Sequence, residues 1–253
     1  VGFQSYENIL GYRISLLSIE NCVQQIFDWI NSGDQTKYFV CANPHSLVKA
    51  ESDAVFKKAI RGADLITPDG VGMVIASRIL GGNIRSRITG SDVFENLTEA
   101  LNKSRKYSVF FLGSTEENLA AIKKKMTFEY PNIKIAGTYS PPFKQEFSEA
   151  DNRLMVDAVN KARPDVLWIG MTAPKQEKWI YQNKHLLDVK FIGAIGAVFD
   201  FYIGKVRRSK AFFIKTGLEW LPRLLQEPRR LWRRNFISAP KFLLMVFKAR
   251  LST

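Results

Sequence analysis

Six apolar runs of strand length, separated by stretches of helical periodicity, constrain this chain more than any other feature. They are YFVCA (38–42), ADLIT (63–67), YSVFFLG (107–113), IKIAGTY (133–139), DVLWIG (165–170) and VKFIGAIG (189–196). Strands that alternate with helices imply a mostly parallel sheet covered by helices on both faces. The intervening segments carry helix-start signals: Ser114 with Glu117 and Ser148 with Asp151 match the capping-box spacing, and Pro44 and Pro174 stand where helix-opening prolines are tolerated. No internal repeat and no low-complexity linker interrupts the alternation.

The last fifth of the chain departs from this pattern in charge. Residues 1–200 hold 24 Lys and Arg against 22 Asp and Glu, whereas residues 201–253 hold 13 against 2, so the tail carries 11 of the 13 net positive charges. Such asymmetry points to a polyanionic partner, either nucleic acid or an anionic membrane surface. The two cysteines, Cys22 and Cys41, are too few for a disulfide framework, which fits a reducing compartment. With only His45 and His185 beside them, no zinc cluster is expected. The opening VGFQSYENIL lacks a basic-then-apolar signal pattern, and no run approaches the roughly 18 apolar residues of a spanning helix.

In a parallel α/β sheet, ligands bind outside the carboxyl ends of the strands. The polar residues that follow each run are therefore the candidates: Asn43, Asp69, then Gly113 with Ser114 and Thr115, Thr172 with Lys175, Gln176 and Glu177, and finally Asp200. The stretch ADLITPDGVGM (63–73) stands out because it sets one carboxylate, Asp69, between a proline and two glycines. Pro-Asp-Gly is ordinary turn chemistry, but loops at strand ends also carry catalytic groups. A helix opening just after Ser114 aims free N–H groups outward, as a diphosphate requires. Ser114 and Thr115 equally serve as a plain helix cap, and neither LGSTEEN nor GVGMVI completes a nucleotide-binding fingerprint. Glu177 and Asp92 read as helix-capping or paired acids, His45 as a solvated helix-start residue, His185 as a helix-end residue, and both cysteines as small buried groups.

Taken in order, TPDGVGM (67–73), RITGSD (87–92), VFFLG (109–113), GMTAPKQEKWI (170–180), GAIGAVFDFYIGKVRRSK (193–210) and GLEWLPRLLQEPRRLWRR (217–234) resemble the WecG/TagA/CpsF family. Its members are bacterial glycosyltransferases that elongate polysaccharide precursors on a polyprenyl-diphosphate carrier. The resemblance implies that Asp69 is the catalytic base, that Asn43 lines the sugar site, and that Gln176 lies near the reaction centre. It implies a basic C-terminal appendage that reaches the membrane and supplies Arg223, Arg230 and Arg233 to the site. Arg87 and Thr89 of the RITGSD block, with Gly113 and Ser114, are the further substrate-binding candidates. Cys41 stands where several relatives have a Thr, which weakens any hydroxyl hydrogen bond to the sugars.

The chemistry agrees with these roles. Inverting transfer needs a base within hydrogen-bond reach of the attacking hydroxyl, and Asp69 is better placed for that than Asp200, whose sequence context is a structural turn. The departing nucleotide diphosphate needs cations or N–H groups. The chain contains no Asp-x-Asp motif, so arginines are expected in place of a metal, and no cofactor is expected. From residue 211 onward Phe, Trp and Leu mix with Arg and Lys at roughly helical spacing. That composition suits a helix in a membrane interface, and it equally suits packing on the sheet domain or on a second copy of the chain; a lipid-linked substrate favours the membrane. The expected protein is a Rossmann-like α/β glycosyltransferase domain over residues 1–200 with a basic, membrane-associating appendage over 201–253, on the cytoplasmic face of a bacterial plasma membrane. Its expected partners are a UDP-sugar, with UDP-N-acetylmannosamine or its uronate ahead of UDP-glucose, a polyprenyl-diphosphate-linked acceptor and anionic lipid, with a second copy of the chain as a further candidate, and no nucleic acid. The rival readings are a nucleic-acid-binding protein, drawn from the Arg-rich aromatic tail, and a nucleotide-sugar-binding regulatory protein without turnover.

Overall fold

The computed structural model describes residues 5–206 and 232–252. Six strands form one sheet in which every neighbouring pair is parallel: β3 (Lys37–Ala42), β4 (Leu65–Pro68), β5 (Ser108–Gly113), β6 (Lys134–Tyr139), β7 (Val166–Gly170) and β8 (Phe191–Ala194), in the order β4-β3-β8-β7-β5-β6. Each coincides with one of the apolar runs to within a few residues. A separate antiparallel hairpin, β1 (Tyr6–Ile9) and β2 (Tyr12–Ser15), precedes them. Its turn residues Leu10 and Gly11 both have positive φ, at 54° and 82°, as a two-residue turn matched to the strand twist demands.

Period-two alternation divides each central strand between two cores. Val40, Leu167, Ile169 and Ile192 face one layer of helices, and Phe39, Val166, Trp168 and Phe191 face the other. The first layer holds α2 (Pro44–Ala50), α3 (Ala54–Arg61), α7 (Glu149–Ala162) and α8 (Lys175–Asn183); the second holds α5 (Gly90–Ser104) and α6 (Glu116–Glu129) together with α1 (Ile19–Ser32). Right-handed crossovers account for the partition. The chain steps toward the β4 edge after β3, β6 and β7, and toward the β6 edge after β4 and β5, so the two directions place their helices on opposite faces. The remaining helix of the β4–β5 connection, α4 (Val71–Leu80), joins the first cluster through Met73, Val74 and Ala76. The sheet is packed closely enough that a Cβ on Gly193 would overlap the Trp168 ring, and one on Gly170 the Phe199 ring.

One local expectation shifts. Helix α6 is capped by Thr115, whose side chain accepts from the Asn118 N–H; Ser114 lies outside the helix at φ 60°. The capping box therefore does not begin at Ser114, because Gly113 and Ser114 are both used to turn the chain away from β5. By contrast Ser148 and Asp151 form a complete capping box, and Pro44 occupies the first turn of α2.

After α9 (Val198–Tyr202), the described chain resumes at Trp232, passes through a π-helical turn (Arg233–Ser238) and ends in α10 (Ala239–Leu251). Helix α10 lies on α2 and α4, and its Phe242 and Val246 are fully buried in the first core. At least this part of the tail thus packs on the sheet domain. Trp232, Phe236, Ile237, Leu244, Phe247 and Leu251 remain exposed. No helix among the described residues is long and apolar enough to cross a membrane. Arg223 and Arg230 lie outside the described residues.

Candidate active site

All six strands of the parallel sheet end on one edge, but their outgoing chains diverge. Strands β3 and β7 lead to α2 and α8 on the first face, whereas β8, lying between them, leads to α9, whose Val198 and Phe199 join the second core. Strand ends that part in this way leave a crevice, and most of the candidate residues come from its walls.

Asp69 is fixed by the sheet itself. Its N–H donates to the Ala42 carbonyl at 2.8 Å, extending the β3–β4 ladder by one residue, and the chain then turns at Gly70 with φ 94°, a conformation that favours glycine. Asn43 caps α2: its Oδ1 accepts from the Ser46 N–H at 3.0 Å, while its own N–H donates to Ser46 Oγ at 2.9 Å. With the oxygen so engaged, the amide Nδ2 is the group left to reach Asp69 Oδ2, at 3.4 Å. One capping residue thereby also orients the carboxylate. The RITGSD block arrives beside it because the Ile88 N–H donates to the Pro68 carbonyl at 2.8 Å. There Thr89 caps α5, and its hydroxyl donates to Asp92 Oδ2 at 2.8 Å; Asp92 is the capping acid its position indicated, and Arg87 is half-buried alongside.

Cys41 is the last residue but one of β3, and its sulfur accepts a hydrogen bond from the Thr67 hydroxyl at 3.6 Å. Burial pushes its thiol well above the usual range; the Asp69 carboxylate adds to the shift, Glu177 and Asp92 contribute further, and the Thr67 bond opposes it. The thiol is accordingly neutral near pH 7. Alkylation of Cys41 by iodoacetamide should therefore stay slow through the ordinary thiol range around pH 8.5, a result that mass spectrometry of the modified peptide would check. Cys22 is buried and behaves as an apolar core residue, as expected.

Opposite these groups, Gln176 and Glu177 open α8 and are both buried. Gln176 Oε1 accepts from the Gly196 N–H at 3.0 Å, and its Nε2 donates to Glu177 Oε1 at 2.9 Å. Glu177 does pair, but it is also sequestered, and burial raises its carboxyl above the normal range against the lowering effects of Gln176 and Lys49. Lys175 turns elsewhere: its Nζ donates to the Lys144 carbonyl at 2.6 Å in the connection after β6.

A second polar group gathers at the end of β5. Asn118 Nδ2 donates to Ser114 Oγ at 2.8 Å and to Asp200 Oδ1 at 3.2 Å, and Lys205 Nζ donates to Asn118 Oδ1 at 3.4 Å. Asp200 is thus bound into this network, whereas the hydrogen bond to Asn43 belongs to Asp69. Gly113 has φ 114°, and a Cβ there would meet the Gly170 carbonyl at 2.6 Å, so close backbone approach between β5 and β7 accounts for the glycine. A surface depression of about 430 Å³ bordered by Glu95, Glu99, Lys125 and Glu129 shares no residue with either group. Among the described residues, no cluster of three His, Cys, Asp or Glu side chains is arranged to hold a metal ion.

The tail meets the crevice through His45, which sequence reasoning left as a solvated residue. Its Nδ1 lies 2.8 Å from Ser238 Oγ, which joins the turn before α10 to the helix that Asn43 caps. Arg233 opens that same turn and is exposed. Nothing in the spacing of His45 and Ser238, 193 residues apart, signals their contact.

Residues 7–253 match the family described as the glycosyl transferase WecG/TagA/CpsF family. Among curated proteins, the chain is 34% identical over 217 residues to an N-acetylglucosaminyldiphosphoundecaprenol N-acetyl-beta-D-mannosaminyltransferase of Bacillus spizizenii, covering 85% of this chain and 81% of the relative. It is 35% identical over 206 residues to the protein of the same name from Bacillus subtilis, covering 81% and 77%. A Staphylococcus aureus protein of that name is 26% identical over 244 residues, covering 96% and 92%. With the parallel sheet, the strand-end carboxylate and the terminal helix all inside the matched region, the chain belongs to the WecG/TagA/CpsF family of glycosyl transferases.

Proposed function

We propose that the protein transfers an N-acetylmannosamine-type sugar from a UDP-sugar to a polyprenyl-diphosphate-linked N-acetylglucosamine, with inversion at the anomeric carbon. The names of the relatives support the donor sugar and the acceptor. The observation that carries the mechanism is the Asp69 carboxylate, held at the end of β4 by its backbone bond to Ala42 and met by the Asn43 amide. In this reading the acceptor hydroxyl oxygen forms the new bond to the anomeric carbon while Asp69 takes the hydroxyl proton. The bond from that carbon to the diphosphate breaks, and UDP departs with the electron pair. Arg233, with Arg223 and Arg230, neutralises the charge that develops on the leaving group, so the reaction runs without a metal. The exposed Trp232, Phe236, Leu244 and Phe247, interspersed with Lys241, Lys248 and Arg250, favour a lipid interface as the surface on which the enzyme meets its acceptor.

The test is UDP release together with the mass of the lipid product, measured for a panel of UDP-sugars with a short-chain polyprenyl-diphosphate-N-acetylglucosamine in the presence of EDTA. Product from UDP-N-acetylmannosamine, undiminished by the chelator, is the expected result. Transfer from UDP-glucose instead would reassign the donor, and a requirement for added metal would overturn the arginine assignment. Release of UDP from no donor, with metal restored and other acceptors supplied, would sink the transferase reading for this chain.

A further inference from the structure

Glu177 is a carboxylate in an unusual position. It is only 4% exposed, and among the described residues its buried Oε2 atom has no hydrogen-bond partner. Acids at that depth are rarely left half-satisfied. An acid in the first turn of a helix ordinarily reaches back to the N–H of the capping residue, but the residue that caps α8 is Pro174, which has no N–H to offer. Glu177 therefore cannot close a capping box; besides its own first-turn N–H, the partner its side chain finds among the described residues is Gln176.

That bond settles the orientation of the Gln176 carboxamide. The Gly196 N–H claims its oxygen at 3.0 Å and Glu177 Oε1 claims one of its N–H groups at 2.9 Å. Rotating the amide by half a turn would place oxygen against oxygen and N–H against N–H, losing both bonds. The second Nε2–H takes part in neither bond. The pair stands at the crevice rather than in the remote core: Gly196 lies within the loop that leaves β8 for α9, and both Glu177 and Asp69 lie close enough to Cys41 to influence its thiol.

We propose that Glu177 is a positioning residue for sugar transfer, fixing the Gln176 carboxamide so that its remaining N–H faces an oxygen of the bound sugar nucleotide or acceptor. The proposal rests on the transferase reading of the crevice. The buried carboxyl, displaced toward its neutral form by desolvation, needs only its carbonyl oxygen for this task, so a glutamine can replace it.

Four full-length variants test this: Gln176→Ala, Glu177→Ala, Glu177→Gln and the double Ala variant. Misplacing a substrate-orienting group costs up to about 10²-fold in rate, and Gln176→Ala and Glu177→Ala should each lose kcat on that scale. The double variant should be no slower than Gln176→Ala, because residues acting as one unit are not additive, and Glu177→Gln should restore turnover. Losses that multiply in the double variant, or a Glu177→Gln enzyme as slow as Glu177→Ala, would overturn the proposal. A readout independent of turnover is the Gln176 side-chain amide signal in ¹⁵N-labelled protein without substrate, assigned by its loss in Gln176→Ala. It should move in Glu177→Ala and hold in Glu177→Gln; an unmoved signal in Glu177→Ala would refute the positioning role. If the wild-type chain transfers no sugar from any donor, the transferase reading fails while the amide signal still decides whether Glu177 orients Gln176.

Discussion

Replacing Asp69 with Ala is expected to lower kcat by about 10²–10⁴-fold, the range in which general bases contribute, while leaving UDP affinity nearly unchanged. The confinement of the effect to chemistry follows from how the residue is held. Its place in the chain depends on the N–H bond to Ala42 and on the φ of Gly70, neither of which involves the side chain. Removing the carboxylate breaks the 3.4 Å bond from Asn43 Nδ2, but Asn43 stays anchored through its Oδ1 and its own N–H to Ser46. Steady-state rates beside calorimetric UDP titration would check the result. A variant with wild-type kcat would remove Asp69 from the mechanism, and a variant that lost both turnover and UDP binding would make it a binding residue.

The largest effect on stability is expected at the far end of the chain. Phe242 is fully buried between α10 and the first core, and Phe→Ala at such a site costs about 3–5 kcal/mol. For a protein of this size each kcal/mol lowers Tm by about 2–4 °C, so thermal unfolding should shift down by roughly 6–20 °C. Leu244→Ser, two residues away on the exposed side, should leave Tm within a degree or two, since substitutions on the surface are usually within about 0.5 kcal/mol. The contrast matters for any truncation of the basic tail. Cutting the chain after Lys210 removes a core side chain as well as a cationic, aromatic surface, so lost turnover in that truncation would not by itself measure a membrane role. An equal Tm for Phe242→Ala and the wild type would contradict the packing of α10.

The sheet was legible in the sequence because burial on both faces leaves strands with almost no polar interruption, and each of the six runs became a strand. Asp69 and Asn43 were legible as candidates because both stand immediately after such runs, where a parallel sheet must expose its loops. The N-terminal hairpin was not, since its turn places Leu10 at positive φ, where Gly or Asn is the usual signal. The cap of α6 moved from Ser114 to Thr115 because either of two adjacent hydroxyl residues can cap a helix, and the left-handed backbone at Ser114, not the spacing to Glu117, decides between them. The contact of His45 with Ser238 and the burial of α10 were beyond reach for a different reason: the amphipathic pattern of a helix states that one face is covered but not by what. Glu177 read as an ordinary first-turn acid, and only the absence of a capping N–H at Pro174 redirects it to Gln176.

The strand order also carries a consequence for how the molecule comes into being. Strands β4 and β3 form one pair, and β7, β5 and β6 form another group; β8 alone bridges them, pairing with β3 on one side and β7 on the other. It is the last of the six to leave the ribosome, and its partner β3 lies about 150 residues earlier, the kind of distant pairing that slows folding. Until it arrives, Asp69 and Asn43 belong to one half-sheet and Gln176 to the other, each half ending in a bare strand edge prone to wrong pairings. A nascent chain therefore has no working site, and the moment that closes these two inner edges also brings its candidate reacting groups together for the first time.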